Sequence, residues 1–281
     1  QRATHFVSHA QLETIGETIN ALKVACMQFA YEATTVKSLS DLEFFASMYF
    51  WIDYFSLRQN CRGEFDPYII ARVIADINHT LVVVDSWTKL TVQTRKWCVF
   101  EQACSIQNNG ECRVAMHGTI GGAPPCSFLA QQLCPSPKPS EFAHACNALD
   151  LQATMTTDNE AGVKIMKMIQ AGPGVAVVNR AVKRMMACAY LGGRRDGHVL
   201  SSAEVHECCQ LMRLAGDKSS ALDLAFNKGS EFFVKNSELP KFVDSLRCMP
   251  NLKRVNFFNQ TVPTTVQAEM EGRGMVFSEH E

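Results

Sequence analysis

Short apolar segments alternate with longer segments of helical periodicity over the first two thirds of the chain. This alternation is typical of a parallel sheet whose strands are joined by crossover helices, so the sequence predicts an α/β fold. Residues 80–84 are apolar at odd and even positions alike, as expected of a strand covered on both faces. The five predicted strands cover residues 5–7, 49–52, 80–84, 113–116 and 148–151.

Between and after these strands, apolar residues recur at steps of three and four. This spacing places them on one stripe of an amphipathic helix, and we expect each stripe to cover the sheet. Pro67 favours a helix start at its own position. The predicted inner-face residues are Leu12, Ile15, Ile19, Leu22, Cys26 and Phe29, then Ile69, Ile70, Val73, Ile74 and Ile77, then Val163, Met166 and Ile169, and finally Val175, Val178, Val182, Met185 and Ala189.

Residues 192–198 have no apolar periodicity and are rich in glycine, which predicts a linker between a first domain, 1–191, and a C-terminal segment, 199–281. In that segment, Leu222-x-Leu224-x-x-Asn227 and the later Val255-x-Phe257, with Leu252 before it, resemble the strand of a leucine-rich repeat. We therefore expect a small α/β, leucine-rich-repeat-like segment. Such repeats need about three or more units to bury a face, so we expect the chain to be a piece of a longer protein.

Composition narrows the class of protein. The 27 Lys+Arg and 28 Asp+Glu give a formal net charge of −1, which offers no basic field for nucleic acid. The longest apolar stretch is far shorter than the roughly 20 residues of a membrane span, so we expect no membrane partner. Most of the twelve cysteines lie in apolar runs and none forms C-x-x-C, which is typical of buried thiols in a cytoplasmic protein without a metal site.

Several catalytic motifs are absent from the sequence. It contains no P-loop, no G-x-G-x-x-G dinucleotide fingerprint, no G-x-S-x-G elbow and no H-E-x-x-H pair. Cys98 and Cys104 are conceivable nucleophiles, but on an apolar helix we expect them to be inert core thiols.

Polar residues follow the first three predicted strands at the points where those strands end. Because the carboxyl ends of parallel strands open onto one edge, we expect these side chains to lie close together. Each also has a simple structural explanation as a helix cap or a turn residue. They are Ser8 and His9 after the first strand, Asp53 after the second, and Asp85 and Ser86 after the third.

A helical segment beyond the third strand carries Trp97 and Glu101, which are four residues apart and therefore share a face. An indole beside a carboxyl raises the pKa of that carboxyl and offers a stacking surface for an aromatic ligand. The alternative is an exposed glutamate that pairs with Arg95, with Lys96 or with nothing.

Taken together, these residues resemble a Toll/interleukin-receptor (TIR) domain. In that family the first strand ends in a serine, the second ends in an aspartate, and the third leads to a Trp-Cys-x-x-Glu helix, here WCVFE at 97–101. The stretch YFWIDYFSLRQ at 49–59 resembles the TIR-like modules of large multidomain proteins in protists and algae. The resemblance covers about residues 1–191 and implies a flavodoxin-like, five-stranded parallel sheet with helices on both faces.

The resemblance implies one of two functions. Some TIR domains cleave NAD, as substrate and not as cofactor, to nicotinamide and ADP-ribose; the essential glutamate would here be Glu101. Such cleavage builds oxocarbenium-like charge on the ribose, which a carboxylate stabilises. Other TIR domains are non-catalytic and assemble with one another to pass a signal, so a homo-oligomer is expected.

In the enzymatic case the resemblance implies that Ser8, Asp53 and Trp97 shape the pocket and that His9 contacts phosphate or ribose. This chain departs from the family in two places. Asp85 and Ser86, expected at the pocket mouth, stand where a lone serine is more usual. The loop at 55–66 lacks the arrangement by which animal receptor TIR domains contact partners.

Overall fold

The computed structural model describes residues 2–11, 14–34, 47–57, 66–116, 138–193, 199–200, 202–215, 223–224, 233–234, 237–247, 254–256, 264–272 and 276–278. It divides into two compact units. The first contains residues 1–134 and 149–182, and the second contains residues 135–148 and 183–281.

The helices, in chain order, are α1 Ile15–Thr34, α2 Asp53–Ser56, α3 Pro67–Ile77, α4 Lys96–Gln107, α5 Pro139–Asn147, α6 Asn159–Ala171, α7 Val175–Gly193, α8 Ser202–Ala215, α9 Leu239–Leu246 and α10 Thr264–Gly272. The strands are β1 His5–Ser8, β2 Phe50–Trp51, β3 His79–Val84, β4 Glu111–Met116, β5 Val199–Leu200, β6 Asp223–Leu224, β7 Phe233–Val234, β8 Arg254–Asn256 and β9 Val276–Ser278.

The first unit is built on a four-stranded sheet in the order β2-β1-β3-β4, and every pairing in it is parallel. The predicted α/β class and parallel sheet are therefore confirmed, and four of the five predicted strands form. In β3 the residues Leu81, Val82, Val83 and Val84 are at most 1% exposed, so this strand is covered on both faces as its uniform apolarity predicts.

The fifth predicted strand, at 148–151, is wrong, because this run leads into a 3-10 turn at Leu151–Ala153. The Asp150 carboxylate accepts hydrogen bonds from the Gln152 amide at 3.1 Å and from the Asn179 side chain at 2.9 Å. The amide of Leu151 donates to Asn179 Oδ1 at 2.9 Å. The amides of Leu151 and Gln152 thus donate to side chains and not to a neighbouring strand, as they would in a sheet.

The predicted helices form, but the inner face of α1 is only partly the predicted one, because Leu22 is buried as predicted whereas Ile15 and Ile19 are not. Ala21, Leu22 and Ala25 pack into the core cluster on one face of the sheet, with Val7, Ile52, Leu81, Val83 and Ala115. By contrast, Ile15 and Ile19 are 45% and 38% exposed. Thr18, Ala21 and Ala25 form a second stripe with helical spacing, and all three are buried. Their small side chains allow the helix to approach the strands closely.

Helix α3 follows the sequence more closely. The Asp66 side chain accepts from the Tyr68 amide at 2.8 Å and caps the helix, with Pro67 as its first residue. Ile70 and Ile74 are buried as predicted, whereas Ile69 is 50% exposed.

The second unit has its own packed helices and two small parallel sheets. The rings of Phe142 on α5 and Tyr190 on α7 stack at 4.2 Å, and α8 contacts both α5 and α9. Strands β6, β8 and β9 form one sheet in that order, with Leu224 beside Val255, and β5 pairs with β7. The other predicted repeat residues, Leu222, Asn227, Leu252 and Phe257, lie outside the described residues.

The predicted domain boundary at 192–198 overlaps the end of α7, which extends to Gly193. Residues 194–198 lie outside the described part of the chain. The division between the two compact units falls inside α7, between residues 182 and 183.

Candidate active site

Three elements of the first unit bring polar side chains together at the carboxyl end of β1. Ser8 is the last residue of β1, Asp53 is the first residue of α2 just beyond β2, and Glu101 lies in the middle of α4. The Ser8 hydroxyl donates to Glu101 Oε2 at 2.6 Å. Two residues that are 93 positions apart, both predicted as site residues, are therefore in direct contact.

The surroundings of Glu101 favour its neutral form. Burial raises the pKa of Glu101 to about 8; the hydrogen bond from Ser8 acts in the opposite direction, and the negative charge of Asp53 raises the pKa further. The residue keeps part of its surface accessible. A carboxyl of this kind changes its charge state just above neutral pH, a property common at catalytic sites.

His9 and Asp53 form a second pair at the same edge of the sheet. Nε2 of His9 lies 2.8 Å from Asp53 Oδ1. Asp53 also accepts a hydrogen bond from the side chain of Gln11 at 2.5 Å and one from the Tyr54 amide at 2.8 Å. Burial acts to raise the pKa of Asp53, but the hydrogen bond and charge of His9 and the bonds from Gln11 and Tyr54 hold it below its ordinary value.

His9 is almost fully buried, with 5% of its surface exposed. Its ring packs against that of Tyr54 with centroids 5.1 Å apart, and its backbone carbonyl accepts the Cys98 thiol at 3.3 Å. Since Cys98 is also on α4, two hydrogen bonds join the end of β1 to the helix that carries Glu101. Burial raises the pKa of Cys98 well above its ordinary value, which agrees with the predicted inert core thiol.

Trp97 lies one turn before Glu101 on α4, as predicted. Its ring meets that of Phe100 edge-on, with centroids 6.1 Å apart and an interplanar angle of 81°, and the residue is partly exposed. The indole thus contacts the ring of Phe100. That the indole raises the pKa of Glu101 stays a prediction.

Asp85 and Ser86 serve the turn that follows β3. Asp85 accepts from the Thr91 hydroxyl at 2.5 Å and from the Thr91 amide at 2.9 Å, while Ser86 accepts from the Thr88 amide at 3.2 Å. Among the described contacts of these two side chains, none reaches Ser8, Asp53 or Glu101. The simple explanation, that they brace a turn, therefore accounts for the positions of both.

Gln11 and Tyr54 belong to the site but were missed by sequence reasoning. Gln11 holds one oxygen of Asp53, and the Tyr54 hydroxyl donates to the Gln11 carbonyl at 3.0 Å. Their signal in the sequence is only their position, each within three residues of a predicted strand-end residue. Position alone does not tell a turn residue from a site residue.

Comparison with known proteins supplies no relative: no family model, no curated protein and no solved structure matches the chain. Within the described ranges, none of the helices combines the length and apolarity needed to cross a bilayer. Over the same ranges, no group of three or more His, Cys, Asp or Glu side chains is placed to hold a metal ion.

Proposed function

We propose that the first unit is a TIR-like domain that cleaves NAD to nicotinamide and ADP-ribose, with Glu101 as its catalytic residue. The observation that carries this proposal is the 2.6 Å hydrogen bond between Ser8 and Glu101. It brings the glutamate of the Trp-Cys-x-x-Glu helix to the end of β1, where the resemblance places the substrate.

The strand order supports the same proposal. The order β2-β1-β3-β4 is that of the first four strands of a flavodoxin-like sheet. In such a sheet the chain changes direction of growth between β1 and β3, and ligands bind beyond the carboxyl ends of the strands at that point. Ser8 ends β1 there, and Glu101 is bonded to it.

The chemistry suits a carboxylate with no partnering general acid. When the bond between C1′ of the ribose and the nicotinamide nitrogen breaks, its electron pair neutralises the pyridinium ring, and positive charge develops on the sugar. The carboxylate of Glu101 stabilises that charge. Water then adds at C1′ and releases one proton. The negative charge of Asp53, which acts on Glu101, favours the same developing cation.

Nicotinamide release from NAD by the full chain tests the proposal. We expect release at pH 9, where Glu101 is ionised, and a loss of at least about a hundredfold in Glu101→Gln. Glu160→Gln is the matched control, because the Glu160 side chain is 81% exposed on α6. Absence of release from the concentrated native chain, or equal release from Glu101→Gln, contradicts the proposal.

A second candidate function, a non-catalytic self-association module, is favoured by exposed apolar side chains. Phe55, Tyr68 and Ile69 are 67%, 63% and 50% exposed, and they flank the segment at 58–65. In this case Phe55→Lys abolishes a homo-oligomer seen by sedimentation at high concentration, whereas Glu101→Gln leaves it intact. A monomer at all concentrations argues against this candidate.

We also propose that β6, β8 and β9 are strands of leucine-rich-repeat-like units. They are parallel neighbours, and a helix separates each from the next along the chain. A reducing, cytoplasmic location is proposed from the thiols, because five described cysteines, Cys26, Cys98, Cys104, Cys146 and Cys209, are free.

A further inference from the structure

Two buried glutamines meet between the turn that follows β3 and helix α4. Gln93 belongs to the 3-10 turn Thr91–Thr94 and is 2% exposed, and Gln102 follows Glu101 on α4 and is 0% exposed. Nε2 of Gln93 donates to Gln102 Oε1 at 2.8 Å. This hydrogen bond joins the turn to the helix at a point one residue from the proposed catalytic carboxyl.

The glutamine pair is only half satisfied. Gln93 Oε1 and Gln102 Nε2 are buried and have no hydrogen-bond partner among the described residues. One atom is an acceptor and the other a donor, and exchanging the oxygen and nitrogen of both amides leaves one of each. Buried polar atoms without partners cost free energy, so two apolar side chains of similar size would fill this space at a smaller loss of stability. Packing alone therefore does not account for two amides here.

The turn that carries Gln93 is held in a costly conformation. Leu90, just before the turn, is buried and has a φ of 46°, in the left-handed region that leucine rarely adopts. The Asp85 carboxylate braces the turn by accepting hydrogen bonds from the amide and the hydroxyl of Thr91. A strained backbone persists where its surroundings over-determine it, and such positions cluster at functional sites. Contacts thus lead without a break from the end of β3, through the turn, to α4.

The hydrogen bond from Gln93 restrains rotation of α4 about its own axis. The first turn of the helix is tied down separately, because the backbone amide of Lys96 donates to the Met155 carbonyl at 2.9 Å. Hydrogen bonds are directional and weaken steeply when they are misaligned. A rotation that broke the bond to Gln93 would also turn Glu101, the preceding residue, away from the Ser8 hydroxyl 2.6 Å from it.

We propose that Gln93 is a positioning residue, which acts through Gln102 to fix the rotation of α4 that brings the Glu101 carboxyl to the Ser8 hydroxyl. This inference rests on the proposed function, because it concerns the orientation of the proposed catalytic group. It also gives Asp85 an indirect part in the site, since that carboxylate braces the turn that carries Gln93.

Replacing both glutamines separates positioning from packing. A chain with Gln93→Met and Gln102→Met keeps the side-chain volume, leaves no amide of the pair unsatisfied and removes the directional bond. In urea denaturation we expect it to be at least as stable as the native chain. We also expect the ¹³C resonance of the Glu101 carboxyl to titrate with a midpoint about 0.5 pH units higher. Weakening the Ser8 bond has this direction because that bond favours the ionised carboxyl.

Ser105→Ala is the matched control for this titration. It removes another buried side-chain oxygen without a described hydrogen-bond partner from the same helix, but that oxygen has no bond to the turn. The midpoint of Glu101 should stay at its native value in this chain. In a Ser8→Ala chain the methionine pair should add no further rise, because the bond through which Gln93 acts is already gone.

Three results overturn the proposal: an unchanged midpoint in the methionine pair, a midpoint that moves to lower pH, or an equal further rise in the Ser8→Ala chain. If the methionine pair does not fold, Gln93→Asn, whose shorter side chain does not reach Gln102, is titrated in its place and decides on the same outcomes. Because the titration of Glu101 needs no substrate, these results are independent of nicotinamide release from NAD, which judges the proposed function.

Discussion

At the scale of single residues, the charge of Glu101 depends on two neighbours that act in opposite directions. The hydrogen bond from Ser8 lowers the pKa of Glu101, whereas the negative charge of Asp53 raises it. Burial is stronger than either and sets the pKa at about 8. Catalysis by the carboxylate form would therefore increase with pH through this value.

If the chain cleaves NAD as proposed, removing these neighbours one at a time should move the pH dependence of cleavage in opposite directions. Ser8→Ala removes a hydrogen bond to the carboxylate, so the midpoint moves to higher pH. Asp53→Asn removes a negative charge, so the midpoint moves to lower pH. Initial rates of nicotinamide release between pH 6 and 10 measure both shifts. Shifts in the same direction would show that the cited interactions do not control the ionisation of Glu101.

Glu101 should also destabilise the fold as pH rises. In the unfolded chain it ionises near 4.5, and in the folded chain near 8, so between these values the folded state holds a proton that the unfolded state has released. Stability then falls with increasing pH over this range. Glu101→Gln removes the effect and raises the free energy of unfolding at pH 8 by about 2–4 kcal/mol.

Urea denaturation at pH 5 and pH 8 measures this gain. Glu160→Gln, on an exposed part of α6, is the control and should unfold like the native chain at both values. A Glu101→Gln chain that is equally stable to the native one at pH 8 would show that the carboxyl is solvated.

At the scale of elements, β1, β3 and β4 carry a charged cluster at their amino ends, the edge opposite the candidate site. The rings of His5 and His79 lie 5.7 Å apart, and Glu111 contacts both His79, at 3.1 Å, and Arg113. With Thr80, these side chains line a small pocket that is open to solvent. Protonation of both imidazole rings would place two positive charges side by side, near the positive charge of Arg113.

This cluster predicts a loss of stability in acid. Burial lowers the pKa of His5 most, His79 lowers it further, Glu111 acts in the opposite direction and Arg113 lowers it again. The unfolded chain therefore binds this proton more readily, and stability decreases as the pH falls through about 6.5. In His5→Gln the decrease between pH 7 and 5 should be smaller, measured by thermal unfolding. A chain with His206→Gln, exposed on α8, should behave as the native chain; an equal decrease in His5→Gln would contradict the argument.

The elements that could be predicted from the sequence are those whose pattern is set by burial on the sheet. Uniform apolarity identified β3, and Pro67 marked the start of α3. The fifth predicted strand does not form, because the side chains of Asn179 and Asp150 accept hydrogen bonds from the backbone amides of residues 151 and 152. Asp150 and Asn179 are 29 residues apart and also bond to each other. The predicted face of α1 is correct at Leu22 and wrong at Ile15 and Ile19, because a second stripe with smaller side chains packs against the strands instead.

The site could be predicted in part for a similar reason. The topology of a parallel sheet brings strand ends together, so Ser8, His9 and Asp53 could be expected at one edge. The contact of Ser8 with Glu101 depends on how α4 packs, which the sequence does not specify without the family resemblance. Asp85 and Ser86 share the same strand-end position but bond within their own turn, a local choice that a strand-end argument does not resolve.

At the scale of the whole molecule, the two compact units are not consecutive in sequence. Residues 135–148, which include α5, belong with the second unit, although residues 149–182 belong with the first. Helix α5 buries Phe142, Ala143 and Cys146, and α8 contacts it. A cut at the predicted domain boundary, after residue 191, therefore removes a helix that α5 needs.

A chain of residues 1–191 should accordingly be less stable than one of residues 1–215, which retains α8. We expect a difference of about 2 kcal/mol or more, comparable to the burial of one large apolar side chain, with increased binding of a hydrophobic dye to the shorter chain. Equal melting temperatures for the two chains would support an independent domain ending at residue 191.

The most direct test of Glu101 as the proposed catalytic residue is the rate of nicotinamide release from NAD by the full chain as a function of pH. We predict that the rate increases with a midpoint near 8, the pKa of Glu101, and that Glu101→Gln has no measurable rate at any pH. No release by the native chain, or release that Glu101→Gln retains, would contradict the assignment of Glu101 as a catalytic carboxylate.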